Sequence, residues 1–208
     1  MAADALPYTA LEGHGVRLEP YDPAHLPGLT AALGREEVFA GGWGGGPAGV
    51  RAGEAFAAWL PTYLPLGRAH VYTVVAAPLI EVATADAEPT IIGTTTILDL
   101  APATESAHIG YTAYAPEVWG THVNPACKLL LLTHLFDHGY GRVKLQADVR
   151  NARSRAGIEK LGAQFEGVAR RDAPRADGSW RDGAVYAITV DDWPAVRAGL
   201  ERRLGASA

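Results

Sequence analysis

Cysteine is nearly absent from the chain, with Cys127 standing alone among 208 residues. A single thiol excludes an internal disulfide and any cysteine-rich metal site. Long apolar runs are missing as well, and none approaches the roughly 18 consecutive residues that a membrane span requires. The opening residues, MAADALPY, lack both the basic start and the apolar stretch of a secretory signal. Residues 1–10 therefore read as a flexible arm of a cytoplasmic protein, with one domain over 11–208. Positive charge is in deficit: 18 Lys and Arg against 23 Asp and Glu give a formal net charge of −5. That balance speaks against a nucleic-acid surface, which depends on a strongly basic face, and suits a positively charged substrate. No internal repeat occurs, and the one low-complexity tract is the glycine run at 41–46.

The remainder alternates between strand-like and helix-like segments, which predicts an α/β domain on a mixed sheet of about seven strands. Residues 15–21 (GVRLEPY) alternate as a half-buried strand. Asp22-Pro23 then caps a helix to about Leu33. The glycine run through Pro47 reads as a mobile loop, and a second helix spans about 52–64. Segments 71–77, 90–100 and 106–115 are rich in β-branched and aromatic residues and predict an antiparallel meander, with a hairpin loop over 78–89. Asn124-Pro125 opens a helix that is apolar nearly all round, hence buried, and Gly139 and Gly141 end it. A strand at 142–149, a helix from Asn151 to Gly162, a hairpin turning at Ala176-Asp177-Gly178 and a terminal helix complete the order β-α-α-β-β-β-α-β-α-β-β before that last helix.

The segment with most chemical information is HIGYTAYAPEVWGTHVNP, residues 108–125. A loop that ends at a helix N-terminus presents unpaired backbone N–H groups and the positive end of the dipole, a binding site for pyrophosphate. Gly120 would let the backbone approach phosphates closely. The plainer reading is an ordinary strand-to-helix connection with an Asn-Pro cap. A second motif, NARSRAGIEKLGA at 151–163, follows a strand directly.

Together these segments resemble the GNAT superfamily of N-acetyltransferases, most closely the RimJ/RimL type that acetylates ribosomal-protein N-termini. The resemblance covers nearly the whole chain, from Val16 to Tyr186-Ala187-Ile188. It implies a single GNAT domain whose sheet is split in a V, with acetyl-CoA as cosubstrate and a primary amine as acceptor. Gly120 matches the first glycine of the family's Gln/Arg-x-x-Gly-x-Gly/Ala loop, while His122 stands where the second small residue is usual and Glu117 replaces Gln or Arg. By resemblance, Trp119, Gly120, Thr121, His122, Val123 and Asn124 hold the diphosphate, and the pantetheine arm pairs along Ala113, Tyr114 and Ala115. The backbone N–H that faces the thioester carbonyl falls around Tyr114. Asn151 would bond the pantetheine arm and Ser154 would protonate the leaving sulfur. Without the family these two read as a helix N-cap and a first-turn filler. His108 stands near where relatives carry a glutamate base, and it reads equally as a histidine packed on a strand. An α-amine, with a pKa of about 7.7–8.0, needs less help from a base than a lysine near 10.4, so the missing glutamate leans towards an α-amine. The alternatives are a small-molecule amine or amino-acid acceptor, and an inactive acyl-CoA-binding domain. Strands on the C-terminal side of such domains often pair, which makes a homodimer an expectation.

Other residues invite functional readings. His134 and His138 are spaced i, i+4, but no Glu follows His134 in the zincin pattern and no third ligand has a fixed spacing, so no metal is expected. Cys127 reads as core. Trp43 and Trp180 are candidates to contact the acceptor, with the glycine run as a lid. Arg153 and Arg155 either approach the phosphates or face solvent.

Overall fold

The computed structural model describes residues 2–76 and 90–205; Ala77 and the loop expected at 78–89 lie outside the described residues. The chain opens with a hairpin of β1 (Leu11–Gly13) and β2 (Val16–Pro20). Three helices follow, α1 (Leu26–Leu33), α2 (Glu36–Ala40) and α3 (Gly53–Tyr63). Then come β3 (His70–Ala76), β4 (Thr90–Ala101) and β5 (Ser106–Tyr114), joined as the antiparallel meander read from sequence. Helix α4 (Val123–Asp137) crosses over to β6 (Arg142–Asp148), which runs parallel to β5. Helix α5 (Ala152–Glu159), the hairpin of β7 (Gln164–Pro174) and β8 (Trp180–Thr189), and α6 (Trp193–Gly205) complete the chain. The described strands form one sheet in the order β1-β2-β3-β4-β5-β6-β8-β7. Among the described residues no helix is long and apolar enough to cross a membrane.

The sheet separates two apolar layers. Helices α4, α5 and α6 cover one face, where Leu131, Leu132 and Leu135 pack with Tyr186, Ile188 and Leu200. Helices α1, α2 and α3 cover part of the other, with Leu29, Phe39, Phe56 and Leu60. The mostly apolar α4 is explained by this placement, since Val123, Ala126, Cys127, Leu129, Leu131, Leu132 and Leu135 are all buried.

Eight strands replace the expected seven because β1 is three residues long, too short for alternation to show. Helix α2 escaped notice for the same reason. The glycine run, expected as a mobile loop, is held in two 3-10 turns at Trp43–Gly45 and Pro47–Gly49. Ala176 donates to the Gly45 carbonyl at 3.1 Å, Gly44 donates to the Tyr63 hydroxyl at 3.3 Å and the Asn151 amide donates to the Gly41 carbonyl. The segment expected as a flexible arm lies along the body. Ala3 and Leu6 are buried, Ala3 donates to Pro102 and Asp4 to His138, each at 3.0 Å.

The feature that shapes the centre is a bulge in β5. Thr94 pairs with Ala113 and Thr96 with Gly110, so Tyr111 and Thr112 together oppose Thr95. Tyr111 takes the left-handed φ of 50°, a strained value for a bulky aromatic residue, and such an insertion bends and twists its strand. Beyond it the pairing with β6 ends: Ser106, Ala107, His108 and Ile109 match Arg142, Val143, Lys144 and Leu145, and residues 110–114 have no partner there. On the opposite side β5 stays tight on β4, where a β-carbon on Gly93 would stand 2.3 Å from the Ala113 carbonyl oxygen. Gly93→Ala should therefore push the two strands apart and lose on the order of 1–3 kcal/mol, measured as a lower urea midpoint. An unchanged midpoint would show that this contact does not hold β5 in place.

Candidate active site

The separation of β5 from β6 leaves a gap. On one side stand residues 110–114 of β5, and at one end the turn that leads into α4. Pro116–Val118 forms a 3-10 turn, anchored by an ion pair from Glu117 to Arg35 at the start of α2. In the next residues the amides of Trp119 and Thr121 are taken by the carbonyls of Pro116 and Val118, and that of Val123 by the Thr121 hydroxyl. The N–H groups of Gly120, His122 and Asn124 have no such bond among the described residues. Gly120 adopts φ 77°, and nothing lies within 4 Å of where a β-carbon would stand. The turn thus offers open donors, the positive end of α4 and free space above the glycine, which fits a diphosphate. The unexpected His122 does not fill that space. Its Nε2 lies 3.3 Å from the β-carbon position of Gly15, in the β1–β2 turn.

Trp119 spans the gap. Its indole N–H donates to the Tyr114 carbonyl at 2.9 Å, and the guanidinium of Arg153 lies 3.6 Å from its ring centroid, a cation–π contact. Arg153 belongs to the first turn of α5, so the two sequence motifs meet across a single tryptophan. Of the three residues expected to receive the pantetheine arm, Ala113 pairs with Thr94 of β4 and Ala115 donates to the Ile92 carbonyl at 2.8 Å. Tyr114 is the one whose carbonyl faces the gap. Its hydroxyl donates to Asn124 Oδ1 at 3.3 Å, and burial, with the Cys127 thiol beside it, holds that hydroxyl well above the usual tyrosine range. Asn151 caps α5, its Oδ1 accepting from the Ser154 amide at 2.9 Å, while its Nδ2 holds the glycine run. The Ser154 hydroxyl has no hydrogen-bond partner among the described residues. Arg155 turns away, bonding the Tyr186 hydroxyl at 3.1 Å.

The buried charges were invisible to sequence reading. Asp148, at the end of β6, accepts from Arg175 at 2.6 Å and from the Arg150 amide at 2.9 Å, tying the β7–β8 hairpin to the rim of the gap. Lys128 of α4 is 5% exposed, and its Nζ donates to Thr112 Oγ1 at 3.1 Å; burial pushes it down to about 8. Cys127, its neighbour, is pushed up to about 11 by burial, so the thiolate that nucleophilic work needs is disfavoured. On the opposite face Tyr111 packs on Tyr63, and Trp43 joins Phe39, Phe56 and Trp59 in one aromatic group. Trp43 Nε1 and Arg181 Nε are buried there without a hydrogen-bond partner. Trp180 sits farther out on the hairpin, under Arg171. His134 and His138 direct ring nitrogens to the carbonyls of Pro7 and His134, at 2.9 and 2.7 Å.

His108 lies on the face opposite α4, 3.2 Å from Asp99. Burial and the Lys144 charge outweigh that carboxylate and push the imidazole down to about 4. It is neutral at pH 7 but a weak proton acceptor.

These features have counterparts in known proteins. The model of the acetyltransferase (GNAT) domain matches residues 16–164. A structure from T. thermophilus described as an acetyltransferase is 31% identical, with a TM-score of 0.78 over 97% of this chain and 99% of that one. A GCN5-related N-acetyltransferase from Brucella melitensis superposes with a TM-score of 0.81 at 23% identity, covering 98% and 89%. Mycobacterium smegmatis RimJ in complex with CoA-disulfide gives a TM-score of 0.66 at 21% identity, covering 98% and 95%. None of the curated proteins compared matches the chain. The chain belongs to the GNAT family of acetyltransferases. It is an acetyl-CoA-dependent N-acetyltransferase on a single mixed α/β sheet.

The position of His108 carries a pH consequence. Between pH 6.5 and about 4 the unfolded chain takes up a proton that the folded chain refuses. This contribution to stability is complete above pH 6.5 and is lost as pH falls towards 4, by on the order of 3 kcal/mol. The urea midpoint of His108→Gln should fall less steeply than that of the wild type over this window; parallel profiles would contradict the shift.

Proposed function

We propose that the chain transfers the acetyl group of acetyl-CoA to a free α-amine, a peptide or protein N-terminus being the acceptor class. The observation that carries this reading is the gap itself: a stretch of β5 without a β6 partner, facing a turn of open amides, with a free serine hydroxyl on the helix across it. The amides of Gly120, His122 and Asn124 hold the diphosphate, with Trp119, Thr121 and Val123 shaping the turn. The pantetheine arm runs along Ala113, Tyr114 and Ala115 and takes the place of the Trp119 indole on the Tyr114 carbonyl. Asn151 positions the start of α5 beside that arm, and the Tyr114 backbone faces the thioester carbonyl.

Attack by a neutral amine forms a tetrahedral oxyanion, and its collapse releases a thiolate that Ser154 protonates. An imidazole held near 4 takes little of the proton load, so His108 acts as a hydrogen-bond acceptor for the incoming amine or through water. That weakness supports an α-amine, of which an appreciable fraction is already neutral near pH 7.

The test is thiol release from acetyl-CoA with peptides bearing free α-amines, compared with polyamines, aminoglycosides and amino acids. Turnover should be highest with the peptides, and a preference for another amine would move the acceptor class. Ser154→Ala should lower kcat by about 10²-fold, the typical share of one positioned proton donor, with CoA affinity by calorimetry unchanged. Full turnover in this variant would remove the acid role.

A further inference from the structure

Lys128 is not accounted for by the fold or by the steps above. An ammonium carries three N–H donors and no acceptor. In this protein it is nine-tenths buried, yet among the described residues it has one hydrogen-bond partner, the Thr112 hydroxyl at 3.1 Å, and no carboxylate within 4 Å. That hydroxyl is itself engaged with Thr95 Oγ1 at 2.8 Å. The titratable neighbours on the same side, Cys127 and Tyr114, are held in their neutral forms by burial. A cation withdrawn from water without a counter-charge is strongly disfavoured, and ionisable groups in such perturbed settings cluster at functional sites. The location is specific. Thr112 lies in the bulge of β5, within residues 110–114 that have no β6 partner. The ammonium therefore stands at the root of the gap, where the bulge opens it.

Resting on the acetyl-CoA reading above, we propose that Lys128 is a catalytic residue whose ammonium donates to the thioester end of acetyl-CoA and stabilises the negative charge that develops there. During attack the amine lone pair forms the new C–N bond and the carbonyl π pair moves onto oxygen. On collapse the C–O double bond re-forms, the C–S bond breaks and its electron pair leaves on sulfur. The proton lost from the amine balances the one the thiolate gains. Lys128 keeps its three protons throughout and acts as a fixed positive charge in a water-poor site, where such groups are most effective.

The experiment needs no acceptor. Calorimetry with acetyl-CoA and with S-carboxymethyl-CoA, whose carboxylate places a full negative charge close to the thioester position, is run on wild type and Lys128→Met. The wild type should bind both. The variant should lose about tenfold or more in affinity for the carboxylate analogue, as expected on removing one partner of a buried charge pair, while its affinity for acetyl-CoA changes less than threefold. Its melting temperature should rise, because an apolar side chain replaces an unpaired buried charge. Unchanged affinity for both ligands in the variant, or a lowered melting temperature with unchanged affinities, would make Lys128 a structural cation and overturn the proposal. A wild type that binds neither ligand overturns the acetyl-CoA reading instead. Should Lys128→Met not fold, Lys128→Gln, which keeps a donor towards Thr112 without the charge, carries the same comparison.

Discussion

Two strands that run side by side as far as Ile109 and Leu145 then cease to exchange hydrogen bonds, and the rest of the site depends on that separation. Unpaired strand edges inside a protein are unfavourable, because backbone N–H and C=O groups need partners. Here the separation is imposed by the Tyr111-Thr112 bulge, which fits one extra residue against Thr95 and turns β5 away from β6. The bulge is kept in place by close backbone packing of β4 at Gly93. Within the gap, the Trp119 indole satisfies the Tyr114 carbonyl, and the Lys128–Thr112 bond fills the root.

The same arrangement decides which ionisable groups carry charge. Burial keeps the Cys127 thiol and the Tyr114 hydroxyl protonated and His108 unprotonated. Asp148 is buried and bonded to Arg175, a contact that anchors the β7–β8 hairpin. The chain is acidic overall, yet the interior of the gap holds a cation and the dipole end of a helix. This local field suits an anionic cofactor and a reaction that generates negative charge.

Much of the chain's organisation was readable because it is local. Asp22 and Asn151 are capping residues whose partners lie two or three positions away, and the continuous apolar character of α4 announces burial on all sides. Gly120, singled out as the place where backbone could approach a phosphate, takes a left-handed φ of 77° that the sequence did not announce. Elements of three to five residues, β1 and α2, left no period to detect. The glycine run misled for a different reason. Its flexibility as a peptide is real, but its partners, Tyr63, Asn151 and Ala176, are 19 to more than 100 positions distant.

Sequence alone carried the family resemblance, the order of the longer elements and the two segments expected at the cofactor, since periodicity and helix caps rest on short-range spacing and helix-terminus chemistry. The tertiary structure decided what lies between those segments. The bulge in β5, the tryptophan bridging Tyr114 and Arg153, the depressed imidazole of His108 and the buried ammonium of Lys128 all arise from contacts between distant parts of the chain. Such contacts set burial and field, and no local pattern of residue types encodes them.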